Sequence, residues 1–242
     1  MKTPFRIAVL LNGLASPNTA GIKASFETAI ASASSLNSDA SPPTITFYDP
    51  IIAQIHPDPS KYDLIVLSGG TADPMGSDPW VLKLQNYLRT TVKDFPKQKI
   101  VGICWGHQTT CISFGGSVAS MEGAAEIGVT KISLTAEGKK MFPFASEGAL
   151  QLHEFHAREV KTPAKGFVAL AEGKQSFLNE ENTILTFQGH PELNTDLART
   201  LLANSPAYMG IDGERKEALV EKVGMDHDGV KIWSRILKWV RE

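Results

Sequence analysis

Short runs of this chain are apolar at every position instead of alternating: Ile7-Ala8-Val9-Leu10-Leu11, Leu64-Ile65-Val66-Leu67 and Ile100-Val101-Gly102-Ile103. A strand with one wet face alternates in polarity, whereas a strand covered on both faces does not. Between these runs lie segments with helical spacing. Residues 19–36 are rich in Ala and Ser, with Asn18 or Thr19 available as the cap. In 78–94, Trp80, Val81, Leu84, Leu88 and Val92 recur on one helical face. Residues 5–11, 44–48, 63–67 and 99–103 are therefore predicted strands, with a polar, proline-bearing loop at 38–43. Strands that alternate with helices require a mostly parallel sheet covered on both faces, with ligands at the carboxyl ends of the strands. From Gly116 the texture changes: 118–134 and 150–170 read as strands joined by turns, and 183–187 as another buried strand. After Pro206 the chain reads as helical, with Ile232, Trp233, Ile236, Leu237 and Val240 in one stripe. The expected architecture is α/β: a single doubly wound, mostly parallel sheet flanked by helices, with a small extra β segment. Residues 1–203 are the expected domain and 204–242 a helical extension packed on it.

Size and charge narrow the function classes. A chain of 242 residues suits one large domain with a continuous core that needs neither disulfide nor metal. It is too short for a nitrogen-donor site and an ATP-dependent acceptor domain together. Lys+Arg number 24 against 26 Asp+Glu, a formal net charge of -2, so no global positive field draws the chain to nucleic acid or anionic membrane. The apolar run after Arg6 ends at Asn12-Gly13, short of the roughly 7 to 15 residues of a secretory signal core. No stretch reaches the roughly 18 apolar residues of a membrane span. Cys104 and Cys111, two turns apart on a helix, cannot bridge; this fits a reducing compartment, and the expected location is cytoplasmic.

The chemistry concentrates where the strand Val101-Gly102-Ile103 runs into Cys104-Trp105-Gly106-His107-Gln108. This is a G-x-C-x-G turn, the nucleophile elbow with sulfur in place of oxygen. Gly102 and Gly106 clear space where the backbone turns sharply from strand to helix. The helix directs its amino end at the thiol, which favours thiolate, and the Trp105 N–H can face a developing oxyanion. A second strand ends at Phe187-Gln188-Gly189-His190-Pro191-Glu192. It delivers an imidazole that can shuttle the thiol proton and, two residues on, a carboxylate to orient that ring. Pro191 fixes the backbone between the two.

Gly102-Ile103-Cys104-Trp105-Gly106-His107-Gln108 and Gly189-His190-Pro191-Glu192 resemble the two signatures of class I glutamine amidotransferase domains. The resemblance covers about residues 5–203, including Ser68-Gly69-Gly70 after its strand and Glu126-Ile127-Gly128. It implies a flavodoxin-like fold, a Cys104, His190 and Glu192 triad, an oxyanion hole from the Gly70 and Trp105 amides, and Gln108 holding a γ-glutamyl group. It also implies hydrolysis of a side-chain amide through a γ-glutamyl thioester. His156-Ala157-Arg158-Glu159-Val160 looks like the stand-alone, GMP synthase-like branch, which includes plant γ-glutamyl peptidases and uncharacterised fungal proteins. His156 and Arg158 then join Gln108 as candidate substrate-binding residues. That branch commonly carries an acid where Arg158 stands; a guanidinium prefers a carboxylate, which points to an anionic neighbour on the substrate.

The expected function is a cysteine-dependent amidohydrolase acting on glutamine or a γ-glutamyl peptide or conjugate, a small-molecule substrate, with no cofactor. The competing readings are a glutaminase subunit that hands ammonia to a synthase partner, a biosynthetic enzyme reusing the same cysteine, and a scaffold without chemistry. A synthase subunit or a second copy of the chain is the candidate protein partner. Ser68-Gly69-Gly70-Thr71-Ala72-Asp73 approaches the loop of ATP pyrophosphatases but lacks its final serine and follows the third strand. His153 and His156 with Glu154 could suggest a metal site, but none is expected, because the segment reads as a strand and turn and residues three apart on a strand face opposite sides.

Overall fold

The computed structural model describes residues 5–13, 17–37, 42–145, 147–204 and 213–242. Five strands form its parallel centre: β1 (Arg6–Leu10), β2 (Thr44–Tyr48), β3 (Leu64–Leu67), β4 (Lys99–Ile103) and, from late in the chain, the strand Ile184–Phe187. The intervening helices are α1 (Thr19–Ser35), α2 (Pro79–Asp94) and α3 (Trp105–Ser113). Then come β5 (Ser117–Ser120), β6 (Glu126–Ser133), α4 (Ala136–Met141), β7 (Ala149–His156), β8 (Arg158–Thr162), β9 (Phe167–Ala171) and β10 (Ser176–Asn179). Ile184–Phe187 is thus β11, followed by α5 (Thr195–Asn204), α6 (Gly213–Lys222) and α7 (Gly229–Trp239). The main sheet has the order β2-β1-β3-β4-β11-β10-β9. It is parallel from β2 to β11, while β10 runs antiparallel to both β11 and β9.

Continuous apolarity in the strands has the cause expected of it. Ile7, Val9, Leu64, Val66, Val101 and Ile103 face one core with Phe26 of α1, Phe142 and the α7 side chains. Ala8, Leu10, Ile65, Leu67 and Ile100 face the other, with Val81, Leu84 and Leu88 of α2 and Trp105 of α3. Neighbouring residues on a strand point to opposite faces, and both faces are covered. The α1 cap differs from expectation: Asn18 occupies the N-cap position but makes no side-chain capping bond. In α7, Ile232, Trp233, Ile236 and Trp239 are fully buried, with Trp233 edge-on to Phe26 at 6.0 Å between ring centroids. Each such side chain contributes about 1.5–3 kcal/mol of burial free energy.

The region after Gly116 divides differently from the sequence reading. Residues 118–134 split between β5, which pairs with β8, and β6, which pairs with β7. Residues 150–170 split among β7, β8 and β9, which lie in three different sheets. The sequence reading lacked β10 and α4, and it began the helical tail after Pro206 although α5 already starts at Thr195. Positions 205–212, including Pro206, lie outside the described residues, as do 38–41 of the predicted 38–43 loop. No helix among the described residues is long and apolar enough to cross a membrane.

Candidate active site

The carboxyl ends of β1, β3, β4 and β11 converge, and every residue of the predicted triad stands there. Chain direction changes sides at β1, since β2 lies to one side and β3 to the other; in open α/β sheets this is where ligands bind. Cys104 follows β4 directly, with φ +52° and ψ −104°, a conformation few side-chain-bearing residues adopt. The turn is held by its neighbours. The Cys104 N–H donates to the Phe187 carbonyl of β11 at 2.8 Å, and the Gln108 N–H donates to the Cys104 carbonyl at 3.0 Å. A Cβ on Gly102 would sit 2.7 Å from the Gly106 carbonyl oxygen, and one on Gly106 would overlap the Leu67 carbonyl. Both glycines are therefore required by packing, as the elbow motif implies.

The Ser68-Gly69-Gly70 loop after β3 closes over the cysteine. A Cβ on Gly69 would lie 2.8 Å from His190 Cε1 and 3.6 Å from Cys104 Cβ, so the bare backbone there touches both side chains. Gly70 has no room for one either: its Cβ would approach the Asn12 carbonyl oxygen at 2.6 Å. Asn12 and Ser68 clamp the ends of β1 and β3. The Asn12 N–H donates to Ser68 Oγ at 2.9 Å, and Asn12 Nδ2 donates to the Ser68 carbonyl at 2.8 Å. The sequence reading took Asn12-Gly13 only as the end of a strand. An Asn-Gly pair closing a buried strand at the carboxyl edge was the available signal.

His190 is positioned from three directions. Its N–H donates to the His153 carbonyl of β7 at 2.8 Å, its Nδ1 lies 2.7 Å from Glu192 Oε1, and the Glu192 carbonyl accepts from Ser25 Oγ of α1. Burial by itself would strip the proton from this ring. The Glu192 carboxylate and then the Cys104 sulfur outweigh it, holding the imidazole charged well above its usual range. With Nδ1 engaged by Glu192, the buried Nε2 has no hydrogen-bond partner among the described residues, while the Cys104 thiol is 3.8 Å from the Phe155 carbonyl.

The remaining predicted residues divide. Gly70, Gln108, His156 and Arg158 border the same cavity of about 180 Å³ as Cys104 and His190, and Ile22, Leu193 and Leu201 give it an apolar side. Trp105 begins α3, where its backbone N–H has no helical acceptor. Its ring turns into the core, stacked on Trp80 at 5.1 Å with Nε1 donating to the Ala72 carbonyl. Gln108 spends its amide protons inside the protein, donating from Nε2 to the Arg158 carbonyl at 2.9 Å and to Gln188 Oε1 at 3.0 Å.

His156 is more elaborate than a cavity-lining residue. Its Nδ1 is 2.9 Å from the Arg158 carbonyl, and its Nε2 is 2.9 Å from Glu126 Oε2 and 3.2 Å from Glu154 Oε2. A carbonyl on one nitrogen and carboxylates on the other require both to be donors, which is an imidazolium. Burial opposes that charge, but the two glutamates push the proton affinity up to about 10. Glu154 is fully buried, and desolvation pushes its carboxyl up despite His156. The ligand-capable atoms of Glu126, Glu154 and His156 lie within 4.8 Å of one another, so this trio is where a cation would be held. Glu126 is hydrogen-bonded to His156 and Gln175, whereas both oxygens of buried Glu154 have no hydrogen-bond partner among the described residues. The sequence reading grouped Glu154 with His153 and His156 and set the trio aside because the two histidines face opposite sides; Glu154, two residues from His156, is on its strand face, and Glu126 completes the group instead of His153. His153 is on the other side, packed 4.6 Å from His227 and kept neutral by burial, with a pKa of about 3. His107 is likewise desolvated to about 3, stacked on Phe177 and bonded to Thr186 Oγ1.

Residues 22–205 match the family model for glutamine amidotransferase class-I. The glutamine amidotransferase-like protein chyE of Penicillium rubens is 41% identical over 201 residues, 82% of each chain. The corresponding chry6 protein of Gibberella zeae is 32% identical over 198 residues, 81% of this chain and 80% of its own. Gamma-glutamyl peptidase 2 of Arabidopsis thaliana is 28% identical over 144 residues, 58% of this chain and 57% of its own. Among solved structures, a glutamine amidotransferase from Thermotoga maritima superposes with a TM-score of 0.73 at 16% identity, covering 99% of this chain and 100% of its own. The flavodoxin-like architecture is therefore shared across low sequence identity, and the fungal matches carry the relationship at the level of sequence. The chain belongs to the class I glutamine amidotransferase-like family.

Proposed function

We propose that this protein hydrolyses the amide of glutamine or of a γ-glutamyl peptide or conjugate through a thioester on Cys104. The observation that carries the reading is that Cys104 and His190 both lie against Gly69 on one cavity, with the imidazole Nδ1 2.7 Å from Glu192. His190 carries the proton as the Cys104 sulfur reacts. The sulfur attacks the amide carbonyl, and the oxyanion meets the backbone N–H groups of Trp105 and Gly70. The C–N bond breaks as His190 gives its proton to the leaving amine. Water, deprotonated by the now neutral His190, cleaves the thioester, releasing the acid and restoring the pair. Glu192 stabilises the imidazolium at each stage. The test is release of the γ-glutamyl acid from glutamine, γ-glutamyl dipeptides and glutathione conjugates. Cys104→Ala should lower turnover by at least about 10³-fold; undiminished turnover by that variant would refute the assignment.

We also read residues 1–203 as the amidotransferase-like domain and 204–242 as a helical extension packed on it. Support comes from α7, whose side chains share one core with β1, β3 and β4.

A further inference from the structure

We propose that Glu126, Glu154 and His156 form a binding site for one divalent transition-metal ion, zinc by the chemistry of the donors, set behind the wall of the Cys104 cavity. The reacting sulfur takes no part in it, so the inference does not depend on the amide chemistry.

One proton cannot satisfy the groups that the fold has gathered. His156 Nε2 is 2.9 Å from Glu126 Oε2 and 3.2 Å from Glu154 Oε2. A ring nitrogen carries a single hydrogen, and here it goes to Glu126. Glu154, turned towards the same nitrogen, is fully buried, and neither of its oxygens has a hydrogen-bond partner among the described residues. A buried carboxyl without hydrogen bonds is costly unless a charge meets it. In the metal-free protein the Nε2 proton stands where a cation would sit. A divalent ion in its place would bind the ring nitrogen and both carboxylates at once, and its two charges would cancel theirs.

The geometry is close to what zinc requires. The ligand-capable atoms of the three residues lie within 4.8 Å of one another. Tetrahedral zinc with bonds of about 2.0–2.1 Å spaces its donors roughly 3.3–3.4 Å apart. The observed 2.9 and 3.2 Å therefore need to open only slightly. The supports around the trio are those of a metal ligand set. His156 Nδ1 is 2.9 Å from the Arg158 carbonyl, which fixes the tautomer that leaves Nε2 to a metal. Gln175 Nε2 steadies Glu126 Oε2 at 2.9 Å, and the buried Oε1 of that amide also lacks a partner. Glu126 and His156 are directly opposite in the β6–β7 register, with Glu154 two residues from His156, so paired strands hold all three.

One nitrogen and two carboxylates suit zinc, whereas magnesium and calcium take six or more donors, all oxygen. The Glu126 side chain is 35% exposed, which gives the ion its way in. The ion's role is structural. His156 borders the cavity, and a Cβ on Gly189, the residue before His190, would overlap Glu154 Oε1. Metal here braces β7 against the segment that presents His190.

Zinc loading of chelator-stripped protein, followed by metal analysis, tests the site. The Cys104→Ala variant, which cannot offer its catalytic thiolate to the metal, should retain about one zinc per chain. Glu126→Gln in that background alters a part-exposed side chain and spares the core. It should weaken zinc affinity at least about ten-fold, and abolish the rise in melting temperature that zinc gives and magnesium does not. One equivalent of cobalt(II) in the wild type should show tetrahedral absorption without a thiolate-to-cobalt charge-transfer band. Loss of the zinc in Cys104→Ala, a charge-transfer band in the cobalt protein, or unchanged zinc affinity in Glu126→Gln would each overturn the proposal.

Discussion

Raising the pH from 7 to 9 should destabilise this protein through one residue on the cavity wall. His156 binds its proton with a pKa of about 10 in the fold, against 6.5 for the free side chain. The sign follows from linkage: a group that binds its proton more tightly when folded stabilises the fold fully below 6.5, and loses that contribution as pH climbs through 10. With those two values the contribution is roughly 4 kcal/mol at pH 7 and falls by roughly 2–3 kcal/mol at pH 9. The side chain is only 2% exposed, so solvent does little to screen it. Other groups titrate over the same range, notably His190, which is why the informative quantity is a difference between two proteins. Urea unfolding of the wild type and of His156→Gln, measured in parallel from pH 6 to 9.5, should show a stability gap that narrows by roughly 2–3 kcal/mol between pH 7 and 9. At a slope of about 3 kcal/mol per molar urea, that is a relative midpoint change of roughly 1 M. A gap constant to within about 0.5 kcal/mol across that range would mean that His156 is neutral and that the ion cluster has been misread.

Four further outcomes are expected. Glu192→Gln removes the carboxylate that holds the His190 proton, so the alkaline limb of Cys104 alkylation or of kcat/KM should move down by about one pH unit or more; an unmoved limb would detach Glu192 from the imidazole. Gly106→Ala forces a methyl against the Leu67 carbonyl, with Leu67 Cβ at 2.8 Å, and should cost about 2–3 kcal/mol in thermal or urea unfolding, where a loss under about 0.5 kcal/mol would show that α3 and β3 can part without penalty. Trp233→Ala empties a fully buried site against Phe26 and should cost about 3–5 kcal/mol. Deletion of 213–242 should abolish cooperative unfolding, whereas a stable truncated protein would make the extension a separable unit.

Different parts of the molecule were legible for different reasons. β1, β3, β4 and β11 declare themselves because burial on both faces writes near-continuous apolarity into four or five consecutive residues, whereas β2, a part-exposed edge strand, shows itself by β-branched and aromatic residues. The partition of β5 to β10 does not, since each of these strands takes its identity from a partner distant in the chain: β5 from β8, β6 from β7, and β9 and β10 from the antiparallel edge of the main sheet. Ser176–Asn179 is too short to show a period, and Ala136–Met141 is one capped helical turn and a half, made by Thr135 accepting from the Gly138 N–H. Asn12 and Ser68 act as a clamp only because β1 and β3 are adjacent.

For the site, the sequence by itself determined whatever lies within a few bonds: a thiol at the tip of a glycine-flanked strand-to-helix turn, and an imidazole with a carboxylate two residues on. Local backbone geometry is set by local residues, so these groups could be named with their roles. Tertiary structure decided which residues meet across the sheet and which carry charge. Glu126 reaches His156 because the two are directly opposite in the β6–β7 register, thirty residues apart in the chain. Of five histidines in or behind the site, the fold holds His156 and His190 protonated and leaves His107, His153 and His227 shifted towards the neutral form. Proton affinity depends on desolvation and on charges through space, neither of which is encoded by position along the chain.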